Sequence, residues 1–228
     1  VKNGLATLLF LPGLLNLPWG DNGQGVALLL LSGVIGIAIG DSFYLAALRR
    51  LGTRRTLTVE AVGPVLGSVG SVLLMQDTLP WKAWIGAVLV SSAVLLVARQ
   101  SSESNPSDSG NPPVVHGLML SLMAVISGLA GAFLARHVLL ETSLSPLQSA
   151  AIRLLGSWLV LMPVLRKTPW NRLGSRRGPW FRILMATVLG TNVGIALQQL
   201  VFRELPVGPG VTLMAVSYTH LRAHETSI

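Results

Sequence analysis

Along this chain, apolar stretches of roughly membrane-spanning length alternate with short polar punctuation. A helix that crosses the hydrocarbon layer needs roughly 20 apolar residues, with a tolerance of about 17 to 25. Runs of that order fall at about Gly25–Leu48, Thr56–Met75, Trp81–Ala98, Val114–Ala135, Pro146–Leu165 and Phe181–Val201. A shorter run, Gly4–Leu17, precedes them and ends at Pro18-Trp19 and the turn Gly20-Asp21-Asn22-Gly23; another begins near Pro206 and stops at Ser217. The stretch Gln100–Pro113 (QSSESNPSDSGNPP) has a Ser/Pro/Asn/Gly composition that cannot bury a core and is expected to be a linker. The pattern predicts an all-α fold, a polytopic transmembrane helical bundle.

Composition sharpens this reading. Of 228 residues, 51% are hydrophobic and 11% charged, where soluble domains carry about 25% charged residues. The absence of cysteine removes disulfides, thiol nucleophiles and cysteine-based metal centres together. A net charge of +8 would suggest nucleic acid in a soluble protein, but the cations cluster between apolar runs and are better read as topology, with no nucleic-acid partner. Trp19, Trp81, Trp84, Trp170 and Trp180 fall at or near run ends, where amphipathic rings sit at the headgroup level, and Trp158 is the exception. Glycines at Gly36/Gly40, Gly63/Gly67, Gly190/Gly194 and Gly128/Gly131 allow close helix approach, as generic packing or in a homodimer.

The chain also matches itself. At an offset of 151, Lys2 meets Arg153, Pro12 meets Pro163, and Pro18-Trp19 meets Pro169-Trp170. At an offset of 154, Gly36 and Gly40 meet Gly190 and Gly194, Arg49 meets Arg203, and Ala61-Val62 meets Ala215-Val216. The change of register falls in a loop, where insertions are cheap. The first run thus corresponds to the sixth, an odd separation that sends equivalent helices across the membrane in opposite directions. Charge density swaps accordingly. Arg49, Arg50, Arg54 and Arg55 crowd one loop whose equivalent holds Arg203 and Glu204. The cation-free loop after the first run has a counterpart with Arg166, Lys167, Arg172, Arg176, Arg177 and Arg182. By the positive-inside rule both basic loops face the cytoplasm. Inverted repeats are an architecture of secondary transporters.

Gly40-Asp41-Ser42-Phe43-Tyr44-Leu45-Ala46-Ala47-Leu48, a basic loop, Glu60-Ala61-Val62-Gly63-Pro64-Val65 and Trp84-Ile85-Gly86-Ala87 together resemble the EamA branch of the drug/metabolite transporter superfamily. The resemblance covers roughly Val1 to Ser217. It implies two inverted five-helix repeats, both incomplete here: residues 1–98 lacking a first helix, a linker at 99–113, and residues 114–217 cut in the fourth helix. Family members are usually drawn with both termini cytoplasmic, which places the two basic loops outside, against the charge rule. The relative inversion holds either way. In the tail 218–228 (YTHLRAHETSI) the repeat predicts a proline opposite Pro64 and more apolar helix. The tail turns polar instead and resembles a non-native translated end. Its His220 and His224 lack a third metal ligand.

An ionisable side chain at the bilayer centre costs on the order of 3 kcal/mol on insertion scales, so each one inside a run is a candidate for function. Asp41 and Tyr44, three apart, share a helix face and are expected to bind a proton or substrate cation, or else to lie near the headgroups. Glu60, one turn before Pro64, either lines the cavity beside a proline-freed carbonyl or pairs with Arg54 or Arg55. Asn192, Gln198 and Gln199 serve either a substrate or interhelical bonds. Arg153 reads as a cation that snorkels to one surface; Gln76-Asp77, Arg136-His137 and Glu141 read as solvated caps at run ends.

Enzymes fare poorly. A rhomboid-type protease needs a GxSG elbow, and none occurs; Ala38-Ile39-Gly40-Asp41 approaches the GxGD of aspartyl intramembrane proteases but has alanine first and no second transmembrane aspartate. No nucleotide-binding loop or cofactor motif is present. The expectation is a secondary transporter of small organic metabolites, multi-pass in the cell membrane, most naturally a bacterial inner membrane. It would work by alternating access, with proton or exchange coupling. A substrate site would be formed by Asp41, Tyr44, Glu60, Asn192, Gln198 and Gln199, with no cofactor or metal. The alternative is a membrane scaffold that transports nothing.

Overall fold

The computed structural model describes residues 6, 7, 10, 23–100, 114–166, 184, 185 and 187–215. Among these, every regular element is helical. In chain order they are α1 (Gly23–Gly33), continued through a π-helical segment (Val34–Ile39) into α2 (Gly40–Glu60), then α3 (Gly63–Leu74), α4 (Trp81–Gln100), α5 (Val114–Glu141) and α6 (Pro146–Arg166). A second π-helical segment (Thr187–Val193) leads into α7 (Gly194–Glu204), and residues 207–215 are again helical. The first apolar run beyond residues 6, 7 and 10, the linker, most of the second basic loop and the tail 218–228 lie outside the described residues.

Two helical stretches, Gly23–Glu60 and Val115–Glu141, are long and apolar enough to cross a membrane, and Gly63–Leu74 and Trp81–Leu96 are shorter apolar helices. Polarity is distributed as a bilayer demands. Leu73, Leu74, Trp81, Leu89, Val115 and Met119 are exposed, whereas Ser32, Ser68, Ser121, Ser149, Thr187 and Gln199 are buried. Lipid cannot hydrogen-bond, so polar side chains turn inward and apolar ones outward. The all-α membrane bundle expected from the hydropathy pattern is what the chain forms.

The chain makes two compact units, each drawing on residues from both sides of the linker. The first comprises Val1–Ala38 and Ala130–Glu204. Its core is Val26, Leu29, Ala135, Val138, Leu144, Ala151 and Ile152, and α1 packs along α6. Glycine makes the approach possible. A methyl group added at Gly156 would lie 3.0 Å from the Leu30 Cα and 3.1 Å from its carbonyl carbon, and one added at Gly131 would lie 2.7 Å from the Gly36 Cα. At Gly33 it would overlap the main chain of Arg153. The Ser32 hydroxyl donates to the Gly131 carbonyl at 2.6 Å, using the same close crossing for a buried polar bond. Helix α6 starts with a capping box: the Ser145 N–H donates to the Gln148 Oε1 at 2.9 Å, the Gln148 N–H donates to the Ser145 Oγ at 3.2 Å, and Pro146 opens the helix.

The fifth run was expected to end near Ala135 with Arg136 as a solvated cap. Instead α5 continues to Glu141, and Arg136 is 6% exposed, its Nη1 donating to the Phe202 carbonyl at 2.8 Å. The buried carbonyl needs a donor that lipid cannot supply, and the guanidinium reaches it. His137 and Glu141 do behave as solvated residues, pairing at 3.3 Å across one turn.

The second unit comprises Ile39–Leu129 and Leu205–Ile228. Unbroken, the 38 residues of Gly23–Glu60 would reach roughly 57 Å at 1.5 Å per residue, too long for one crossing. The break is Gly52, whose φ of 73° and ψ of 168° leave helical space, a conformation glycine adopts without steric penalty. The expected loop between the second and third runs shrinks to this one residue. Leu51 seats its side chain against Gly117, and the Ser121 hydroxyl donates to the Thr56 carbonyl at 3.3 Å. The chain breaks again at Ala61-Val62 and restarts with Pro64 in the first turn of α3, where the missing N–H costs nothing. Pro64 therefore opens a helix rather than kinking one. Segment 207–215 meets α3 at Gly67 and Ser68 against Gly208, and the Gly208 N–H donates to the Ser71 Oγ at 3.1 Å. Of the spaced glycines, Gly36, Gly63, Gly67 and Gly131 do meet neighbouring elements, whereas a methyl group at Gly128, Gly190 or Gly194 would meet nothing within 4 Å.

One local feature recurs at the repeat offset. Adding 154 to the π-helical positions 34–39 gives 188–193, within the second π-helical segment, and adding it to Gly52 gives Pro206, where helix also breaks before 207–215.

Three outcomes follow for detergent-solubilised protein. Gly156→Leu must push the Leu30 backbone away and should lower unfolding stability by about 1–3 kcal/mol, whereas Gly190→Ala should stay within about 0.5 kcal/mol of the parent; thermal unfolding followed by circular dichroism measures both. Arg136→Met strands the Phe202 carbonyl and should cost about 1–3 kcal/mol in the same assay.

Candidate functional site

Asp41 sits in the first turn of α2, directly after the π-helical segment Val34–Ile39, and is exposed. Tyr44 follows one turn on, half-buried. Glu60, also half-buried, is the last residue of α2. Eleven residues run from Asp41 to the Gly52 break and eight from there to Glu60. The second unit thus holds both sequence-predicted acids, with Tyr44 on the Asp41 helix.

The polar trio of the seventh run lies in the first unit. Asn192 falls inside the π-helical segment Thr187–Val193, is buried, and donates from Nδ2 to the Ala6 carbonyl at 2.9 Å. Gln199 on α7 is fully buried, and its Oε1 accepts from the Ser149 hydroxyl at 2.9 Å. These are the interhelical bonds weighed against substrate contact. They use half of each carboxamide: the Asn192 Oδ1 and the Gln199 Nε2 are buried and meet no hydrogen-bond partner among the described residues. Gln198 is half-buried on the adjoining helix face. Seven residues separate Asn192 from Gln199, about two turns, so the two share a face that Gln198 leaves.

Both π-helical segments border candidate residues, Asp41 after one and Asn192 within the other. A π turn widens the helix by one residue and is found frequently at functional sites. The signal in the sequence is the four-residue glycine spacing at Gly36/Gly40 and Gly190/Gly194, which spacing alone would assign to packing.

One residue that sequence reasoning undervalued is Arg153. It does not snorkel: it is 3% exposed on α6, between the fully buried Ile152 and Leu154. A lone cation in a run looks the same whether it turns in or out, and only the packing of α1 on α6 decides. Trp158, on the same helix, is half-buried. A cavity of about 260 Å³ in the first unit, lined by Gln24, Gly25, Leu28, His137, Val138, Glu141 and Thr142, holds none of the sequence-predicted residues. It lies at the solvated end marked by the His137–Glu141 pair.

No curated protein matches the chain. The exposed apolar faces and buried polar side chains make it a membrane protein, as the apolar runs predict. Residues 2–99 match the EamA-like transporter family, the family that the sequence resembles.

Proposed function

We propose that this protein is a secondary transporter of small organic metabolites, multi-pass in a cell membrane and working by alternating access. The observation that carries this reading is the match of residues 2–99 to a transporter family. Two others support it. The buried carboxamides of Asn192 and Gln199 each keep one hydrogen-bonding atom without a partner among the described residues, a group that a passing solute can engage. The π-helical segments and the breaks at Gly52 and Pro206 recur at an offset of 154, as expected if the chain is organised as two repeats of inverted topology, 1–98 and 114–217, which is part of the same proposal.

In this reading Asp41, Tyr44, Glu60, Asn192, Gln198 and Gln199 contact the solute or the coupling ion during passage. The Asp41 and Glu60 carboxylates are the proton carriers, since acids within a membrane span are characteristic of proton relays and both lie in the helical stretch Gly23–Glu60. The amides and the Tyr44 hydroxyl supply neutral donors and acceptors to hold a polar solute without adding charge.

In proteoliposomes, a pH gradient should accelerate uptake of the transported solute from a labelled panel of amino acids, nucleosides and carboxylates. Asp41→Asn and Glu60→Gln should each cut that pH-driven uptake by about tenfold or more while leaving solute-for-solute counterflow measurable. Wild-type flux indifferent to both pH and trans-side solute would sink the coupling, and a folded protein without flux for any solute would return the scaffold reading.

A further inference from the structure

Arg153 presents a physical problem that the helix bundle does not solve by itself. Its Nε and Nη1 are buried and meet no hydrogen-bond partner among the described residues. A guanidinium stays protonated in proteins, and a buried charge is ordinarily kept only when paired and hydrogen-bonded. The described carboxylates of the first unit are Glu141 and Glu204; both are exposed, and Glu141 pairs with His137. Neither supplies an interior countercharge. The side chain cannot leave easily either, because Gly33 packs on the Arg153 main chain and Ala150, Ala151, Ile152 and Leu154 around it are fully buried.

Buried polar side chains on α6, α7 and the π-helical segment before it include Ser149, Gln199 and Asn192. Ser149 lies one turn before Arg153 on the same face of α6, about 6 Å along the axis, and holds the Oε1 of Gln199, leaving the Gln199 Nε2 with its hydrogens unspent. Consecutive spans run in opposite directions, so moving from Ser149 to Arg153 on α6 corresponds to moving from Gln199 toward Asn192 on α7 and its π-helical segment. The guanidinium therefore falls between the levels of two buried carboxamides, where the described residues leave a spare N–H at Gln199 Nε2 and a spare carbonyl oxygen at Asn192 Oδ1 but supply no anion.

We propose that Arg153, with the Gln199 amide, binds the anionic group of the transported solute, a carboxylate or phosphate, so that the solutes of this carrier are organic anions. This rests on the transporter reading and deepens it. A guanidinium matches either oxyanion and gains most where water is excluded. The site is enclosed in this conformation, so the solute reaches it through the helix movement that alternating access requires.

The test uses the full chain in detergent, with Arg153→Met and Arg153→Lys beside the parent. Acetate, benzoate, succinate and phenyl phosphate are each compared with a neutral amide or alcohol counterpart by thermal stability. At least one anion should raise the parent's Tm where its neutral counterpart does not. Arg153→Met should abolish that shift, and Arg153→Lys should weaken apparent affinity by about tenfold. Without ligand, Arg153→Met should melt at or above the parent, because an unpaired buried charge has gone. Arg153→Met melting well below the parent, with no anion shift in the parent, would show a structural ion pair and overturn the proposal. Stabilisation by phosphatidylglycerol alone would overturn it in favour of a lipid site. Uptake in proteoliposomes separates the two levels: neutral solutes carried without any anion shift would remove this site and keep the transporter, while an anion shift without uptake would keep the site and remove transport.

Discussion

The structure depends on one constraint: its outer side chains are Leu, Val, Ile and Met, so the medium around them can neither donate nor accept a hydrogen bond. Each polar group must then find its partner inside. The Ser32 hydroxyl goes to the Gly131 carbonyl, the Arg136 guanidinium to the Phe202 carbonyl, and the Asn192 amide to the Ala6 carbonyl. Such bonds require short distances between backbones, which is why the crossings carry Gly33, Gly36, Gly131 and Gly156 in one unit and Gly67 and Gly208 in the other. With lipid tails as apolar as leucine, close packing and interhelical hydrogen bonds hold the helices together, since burial of apolar surface alone gives no preference for helix over lipid.

The same constraint makes leftover polarity meaningful. A side chain that keeps an unspent buried donor or acceptor in such a medium is destabilising unless something else occupies it. Asn192, Gln199 and Arg153 all keep such atoms among the described residues of the first unit. In the second unit the two candidate acids are placed differently, Glu60 half-buried and Asp41 exposed. Under the proposed function these are the groups a solute would meet, exchanging water for protein contacts on the way through.

Much of this was legible in the sequence. Hydropathy placed helices at every described run because membrane thickness sets their length, and the family resemblance over the first half agrees with the match at residues 2–99. Boundaries were less legible. The basic segment between Leu48 and Thr56 reads as a loop by charge, yet arginine is a good helix former and only Gly52 interrupts the helix. Arg136 and Arg153 were misplaced for a related reason. Both lie near the ends of apolar runs, where charge ordinarily faces water, and the direction each side chain takes depends on packing partners 66 or more residues away in the chain. The π-helical turns left a trace in the glycine spacing, but the same spacing serves ordinary packing.

The account's central claim is that the polar interior is shielded by a lipid-facing apolar exterior. The chain has no cysteine, so single cysteines carry spin labels without background. With the protein in liposomes, labels at Leu89 and Met119, both exposed, should collide readily with dissolved oxygen and be shielded from a water-soluble nickel chelate. The reverse order at both positions, chelate over oxygen, would place those faces in water and contradict the account.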